Sequence, residues 1–137
     1  MCIRDRVREC VKNDIDVRCL PGATAFVPAI VHSGIPCNHF HYEGFLPHKK
    51  GRQTRLIYLA ELACPFIIYE SPHRLVKALK QLAEFCGAER VASVSRELTK
   101  MHEEVKTATL QELIDYFDTE KKVKGELVVV VDRSRNE

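Results

Sequence analysis

The sequence has no tryptophan, no long apolar run and almost no net charge, and its six cysteines never stand closer than eight positions apart. Without a C-x-x-C pair, the usual zinc and dithiol spacings are excluded. Without a charged, then apolar leader at the N-terminus, a secreted disulfide framework is not expected. The cysteines therefore read as buried, reduced thiols acting as small hydrophobes. Apolar runs such as Ala25–Val31 and Leu127–Val131 fall far short of the roughly 20 residues a membrane helix needs. The expectation is a soluble, cytoplasmic protein with no membrane partner. The charge of +2, from 21 Lys and Arg against 19 Asp and Glu, is too mild to imply a polyanion partner by itself. The phosphate loops G-x-G-x-x-G and Walker A and the nucleophile elbow G-x-S-x-G are also missing.

What is present is an alternation of short β-type runs with helical segments, over a length that suits one domain and an ordinary core. Residues 3–13 read as a helix with Ile3, Val7, Cys10 and Val11 on one face, and Asp16–Leu20 as a strand. Ala23–His32 reads as a helix closed by Gly34, with Thr24 near its cap and Pro28 a kink if it falls beyond the first turn. From Phe40 onward the pattern gives five strands (40–46, 66–69, 90–95, 104–107 and 125–132) interleaved with three helices. Ser71-Pro72 reads as a helix cap and first position, and Thr109-Leu-Gln-Glu112 as a capping box. The unbroken Leu127–Val131 run predicts burial on both faces. The fold class is α/β, a mixed five-stranded sheet flanked by helices. The opening helix and strand have no preceding strand to pair with, so the chain reads as truncated.

Three stretches carry chemistry. Phe45–Arg55 holds His48, Lys49, Lys50, Arg52 and Arg55 with no acid. Clustered cations at a helix start oppose the helix dipole, whereas phosphate neutralisation calls for them; a solvated loop is the plainer reading. Tyr69–Arg74 runs from a strand's carboxyl end into a helix N-terminus, where open α/β sheets bind ligands. Capping by Ser71 and a Glu70–Arg74 ion pair are the plainer readings there. Arg96–Glu104 is a second dense polar cluster after a strand. His39 and His41 would share a strand face, but no third ligand is evident and no metal is expected.

Leu20-Pro-Gly-Ala-Thr24, Glu43-Gly-Phe-Leu-Pro47, Tyr69–Leu75, Arg96–Lys100 with His102–Glu104, and Lys124-Gly-Glu126 occur in one order. Together they resemble the rRNA-modifying members of the tetrapyrrole (corrin/porphyrin) methylase superfamily, from about Arg6 to Asp132. The resemblance implies a two-domain enzyme that moves a methyl group from S-adenosylmethionine to the ribose 2′-hydroxyl of a cytidine in 16S rRNA, on the small ribosomal subunit. Its donor cleft lies between two α/β domains. Residues 1–35 would then be a remnant of the first domain, with 1–5 a non-native start, 36–132 the second domain, and 133–137 a fraying tail. Missing the first domain's loops, this chain is expected to be inactive alone. The parent is expected to be a homodimer.

By position, the resemblance implies cofactor binding at Pro21, Gly22 and Thr24 and at Glu70, Ser71 and Pro72. It puts RNA at His48, Lys49, Lys50, Arg52, Arg55, Arg74 and Arg96, with Arg96–Lys100 lining the acceptor side. Glu70, Glu97 and Lys100 are the unranked candidates for a catalytic base or orienter. Transfer from a sulfonium to oxygen requires no metal, so positioning and deprotonation of the hydroxyl do most of the work. Two alternatives stay open: a precorrin or other tetrapyrrole methylase, and a non-catalytic RNA-binding module.

Overall fold

Five consecutive apolar residues cannot alternate between core and water. Leu127–Val131 (β5) accordingly runs through the middle of the sheet with all five side chains buried. The computed structural model describes residues 3–119 and 123–134. Around β5 stand β1 (His41–Phe45), β2 (Phe66–Glu70), β3 (Val91–Arg96) and β4 (Glu104–Thr109), in the order β1-β2-β5-β3-β4. β1 is parallel to β2, and every other neighbouring pair is antiparallel. The mixed five-stranded sheet expected from the sequence is the one observed.

The register aligns the strand ends. Phe45 pairs with Tyr69, Glu70 and Arg96 both pair with Leu127, and Arg96 pairs with Glu104. The carboxyl ends of β1, β2 and β3 and the amino ends of β4 and β5 therefore share one edge. Four of the five sequence motifs lie on that edge.

The helices divide unequally between the two faces. α3 (Arg52–Ala60), α4 (Leu75–Cys86) and α5 (Leu110–Phe117) cover one face with Leu56, Leu59, Leu75, Leu79, Leu82, Leu110 and Leu113, all essentially inaccessible. Each such side chain contributes about 1.5–3 kcal/mol on burial. Among the described residues the other face carries only α2 (Phe26–Ser33), whose Ala29 packs with Ile67, Val128 and Val130. α2 starts three residues later than the pattern suggests, so Pro28 falls within its first turn and causes no kink. Gly34 closes it in the left-handed region at φ 68°.

The expected strand at Asp16–Leu20 does not form. Among the described residues no neighbouring strand is there to accept its hydrogen bonds, and residues 11–25 are exposed. The apolar face of α1 (Ile3–Lys12) is likewise uncovered, with Ile3, Val7 and Val11 exposed. Ser71 does not cap with its side chain; Pro72–Arg74 form one 3₁₀ turn before α4 begins. The described cysteines are less buried than expected: Cys19 is exposed and Cys10, Cys37, Cys64 and Cys86 are only half-buried. The expectations for Met1, Cys2 and residues 135–137 fall outside the described residues. Among the described residues no helix is long and apolar enough to cross a membrane.

The capping box forms as the sequence predicts. Glu112 N–H donates to the Thr109 hydroxyl at 3.2 Å, and Thr109 N–H donates to the Glu112 carboxylate at 2.9 Å. Thr109→Ala should lower unfolding free energy by about 1 kcal/mol with an unchanged m-value, measured by urea denaturation.

Candidate functional site

Three hollows open at the shared edge, one of them between Arg96, Glu104 and Lys124, and the other two hold further candidate residues, one on each face of the sheet. The first of these two, of about 480 Å³, lies on the α2 side and is lined by Thr24, Pro28, Ser95, Leu98, Lys100 and Glu126, among others. That is a size typical of small-molecule sites. Its walls are mostly apolar, and Ser95 on β3 is 1% exposed. The Ser95 hydroxyl is the one buried side-chain polar atom without a hydrogen-bond partner among the described residues. Its neighbour on the same face, Ser93, is satisfied by Thr107 at 2.9 Å. A buried orphan hydroxyl is costly unless a ligand supplies the missing bond.

The rim of this cavity is a clasp between two sequence motifs. Glu97 N–H donates to the Glu126 carbonyl at 3.0 Å, and Glu126 N–H donates to the Glu97 carboxylate at 2.9 Å. Lys100 Nζ reaches both carboxylates, at 3.0 and 3.2 Å. Glu97 and Thr99 hold positive φ angles of 50° and 65°, a conformation side chains adopt only when their surroundings hold them there. Gly125, at φ 98°, has no alternative: a Cβ there would fall within 2.5 Å of the Glu97 carboxyl. The Glu126 amide and then Lys100 hold the Glu97 carboxyl below the usual carboxylate range. Glu97 and then Glu126 hold Lys100 above the usual lysine value. Glu97 is thus a weak base and Lys100 a fixed cation, which suits both to orienting a group rather than taking its proton.

The second hollow, about 440 Å³, lies on the opposite face between α3 and α4 and is lined by His48, Lys49, Arg52, Arg74, Lys77 and Gln81, among others. The Glu70 carboxylate, 2% exposed, organises it. It accepts from Ser71 N–H at 2.8 Å and from Arg74 Nε at 3.0 Å, and it lies 3.7 Å from Arg52. Arg52 also donates to Gln81 and to the Pro47 carbonyl, and Arg74 bonds Ser71 and His48. Arg55 is turned away, bidentate on Glu43 at 2.6 and 2.7 Å and stacked on Tyr58. Among the described residues Lys49, Lys50 and Lys77 make no ion pair.

The structure therefore brings Thr24 and Lys100 together, with Glu97 at the rim. It gathers His48, Lys49, Arg52 and Arg74 along the second hollow, with Arg52 and Arg74 on Glu70. Pro21 and Gly22 lie in the exposed stretch before α2, and Ser71 and Pro72 line neither hollow. Arg96 lies apart from both, paired with Glu104 at 2.9 Å. Sequence reading missed Ser95 and Lys77 and gave Glu126 no role in a site, while Leu98 falls within the Arg96–Lys100 stretch it assigned to the acceptor side. Lys77 was traceable, standing one helical turn beyond Arg74; a serine inside a strand gives no such signal. His41 is bonded to Glu43 at 2.8 Å, and no cluster of three metal-ligating side chains occurs among the described residues.

A family model for Tetrapyrrole (Corrin/Porphyrin) Methylases matches residues 3–114. The Ribosomal RNA small subunit methyltransferase I of Synechocystis sp. is 43% identical over 129 residues, covering 93% of this chain and 46% of that protein. The protein of the same name from Vibrio cholerae is 37% identical over 132 residues, 95% of this chain and 46% of that one. The chain thus spans a little under half the length of these relatives. Among solved structures, the methyltransferase CobJ superposes with TM-score 0.69 at 20% identity, over 96% of this chain and 57% of that one. A Thermus thermophilus uroporphyrin-III C-methyl transferase complexed with S-adenosyl homocysteine gives 0.62 at 16%, over 94% and 58%.

Two outcomes follow from the geometry. Gly125→Ala should lower stability by about 1–3 kcal/mol and release the Glu126 amide to solvent, read by urea denaturation and amide exchange. Burial pushes the Glu43 carboxyl up, but the bonds from Arg55 and His41 outweigh it and leave it below the usual range. A lowered carboxyl stabilises above the unfolded value and loses that contribution as pH falls through the folded one. Stability should therefore hold down to about pH 5 and fall below about pH 4, less steeply in Glu43→Gln, measured by denaturation across pH.

Proposed function

The chain belongs to the tetrapyrrole (corrin/porphyrin) methylase family, and from that premise we propose that it serves S-adenosylmethionine-dependent methylation of 16S rRNA in the small ribosomal subunit, at the ribose 2′-hydroxyl of a cytidine. One arrangement carries the reading. An apolar cavity with an unpartnered Ser95 hydroxyl and a groove with unpaired lysines open at the same sheet edge. The cavity serves the donor whichever acceptor is methylated, and a small acidic macrocycle needs fewer spread cations. A polyphosphate chain explains the lysines as well.

The cavity fits a small amphipathic ligand, since apolar walls meet the orphan hydroxyl and the rim groups. Thr24, Ser95, Leu98, Glu126 and Val128 would hold the donor, which supplies an electrophilic methyl on a sulfonium. Lys100, held between the Glu97 and Glu126 carboxylates, would orient the acceptor hydroxyl through its remaining N–H, and the hydroxyl proton passes to solvent as the methyl is transferred to oxygen. Lys49, Lys50 and Lys77 take phosphates. Glu70 fixes Arg52 and Arg74, which shape that groove. The working assembly is a cytoplasmic homodimer of the longer protein. For these 137 residues alone, with less than half the relatives' length, we propose weak donor binding without turnover.

The test replaces the corresponding half of the Synechocystis relative with residues 6–132 and expresses the chimera in cells lacking this methylation. The expected result is 2′-O-methylcytidine in 16S rRNA, detected by mass spectrometry of nuclease digests. A folded chimera that binds S-adenosyl homocysteine but methylates a tetrapyrrole and no RNA overturns the reading. Lys49→Glu, Lys50→Glu and Lys77→Glu together should weaken RNA binding and cut the salt slope by up to about one unit per phosphate lost.

A further inference from the structure

The face of the sheet that α2 leaves partly bare carries five of the chain's ten Phe and Tyr residues in one continuous row. Phe45 meets Tyr69 with ring centroids 5.5 Å apart, Tyr69 meets Tyr42 at 5.7 Å, Tyr42 meets Phe26 at 5.0 Å, and Phe26 meets Phe40 at 6.2 Å. Phe45 is 66% exposed, and Tyr42 and Phe40 are nearly half exposed. Rings placed only to fill a core are not left this open.

A local irregularity builds the row. Residues three apart on a regular strand point to opposite faces, yet Tyr42 and Phe45 both lie against Tyr69. The pairing with β2 slips between Tyr42 and Gly44, leaving Glu43 as the extra residue of a bulge. Gly44 takes φ 75° to allow it. Ordinary alternation places Glu43 opposite Tyr42, on the other face, where Arg55 and His41 bind it, and the bulge returns Phe45 to the side of Tyr42.

The surroundings indicate what lies on the rings. From Phe45 the chain runs directly into exposed His48, Lys49 and Lys50, and no acid occurs between Glu43 and Glu61. Three residues span at most about 11 Å, so cations and rings are within one or two nucleotides of each other. On the other side, α2 joins the row to the cavity: Phe26 is one of the rings, while Val27 and Pro28 line the cavity wall. Open aromatic faces beside a cationic loop are how unpaired nucleotides are held, bases on rings and phosphates on lysines.

We propose that this row is a stacking platform for unpaired RNA bases flanking the modified nucleotide, with Phe45 and Tyr42 as the rings that meet them. The inference rests on the RNA reading above and adds a surface that reading does not use. It requires the acceptor segment to be single-stranded when bound.

The test measures binding of the 137-residue protein to a short unstructured RNA carrying 2-aminopurine, by fluorescence anisotropy across a salt series. Phe45 and Tyr42 are exposed, so Phe45→Leu and Tyr42→Leu keep apolar area and leave the fold intact, checked by circular dichroism. Each should weaken binding about fivefold or more, remove 2-aminopurine quenching and leave the salt slope unchanged. Phe45→Trp should retain affinity. The lysine variants should do the reverse, reducing the slope while residual complexes stay quenched. Leucine variants that bind and quench like the wild type, beside lysine variants that lose binding, overturn the platform alone. Failure of the wild-type chain to bind any RNA overturns both readings. Loss of self-association in sedimentation on Phe45→Leu, with RNA binding unchanged, assigns the face to a second copy of the chain and overturns the proposal.

Discussion

Everything at the shared edge depends on β5 being inserted between β2 and β3. The two halves of the sheet, β1-β2 and β3-β4, touch only through it. Because β5 runs against both neighbours, β2 and β3 point the same way, and their carboxyl ends meet the loop that precedes β5. The Arg96–Lys100 and Lys124–Glu126 motifs, far apart in sequence, become neighbours for that reason. The strand can occupy this position because it has no polar side chain to solvate; its five residues satisfy both cores at once.

Lys100 of the clasp apart, the cations of the edge divide by type. The arginines are spent on structure: Arg55 on Glu43, Arg52 and Arg74 on Glu70, Arg96 on Glu104. The lysines Lys49, Lys50 and Lys77 stay in solvent. This follows from the side chains. A planar guanidinium with several fixed donors can hold a buried carboxylate in one geometry, while a strongly hydrated ammonium is better left exposed. A buried Glu70 with one arginine removed would keep an uncompensated charge, so the groove and the fold are linked at that residue.

Much of the fold was legible because it rests on local rules. The Thr109–Glu112 capping box, the left-handed close of α2 at Gly34 and the buried Leu127–Val131 run each need only a few adjacent residues to specify them. The strand expected at Asp16–Leu20 failed because propensity without a pairing partner does not make a ladder. At the site, residue types marked the charged loops but not their partners: Glu70 with Arg52, or Glu97 with Glu126, are set by register. Ser95 was invisible, since its meaning lies in a missing bond. The bulge at Glu43 was invisible too, because the Glu43-Gly44 sequence reads as ordinary strand.

That bulge makes the edge strand tolerant of one kind of genetic change and intolerant of another. Point substitutions at Phe45 or Tyr42 alter one exposed ring each. Replacing Gly44 by a β-branched residue opposes the φ of 75° that the bulge needs, and a strand of the same length relaxed to regular alternation would place Tyr42 and Phe45, three residues apart, on opposite faces, dividing the row while every aromatic codon survives. Gly44 is therefore under tighter constraint than either exposed ring, although it adds no side chain to the row.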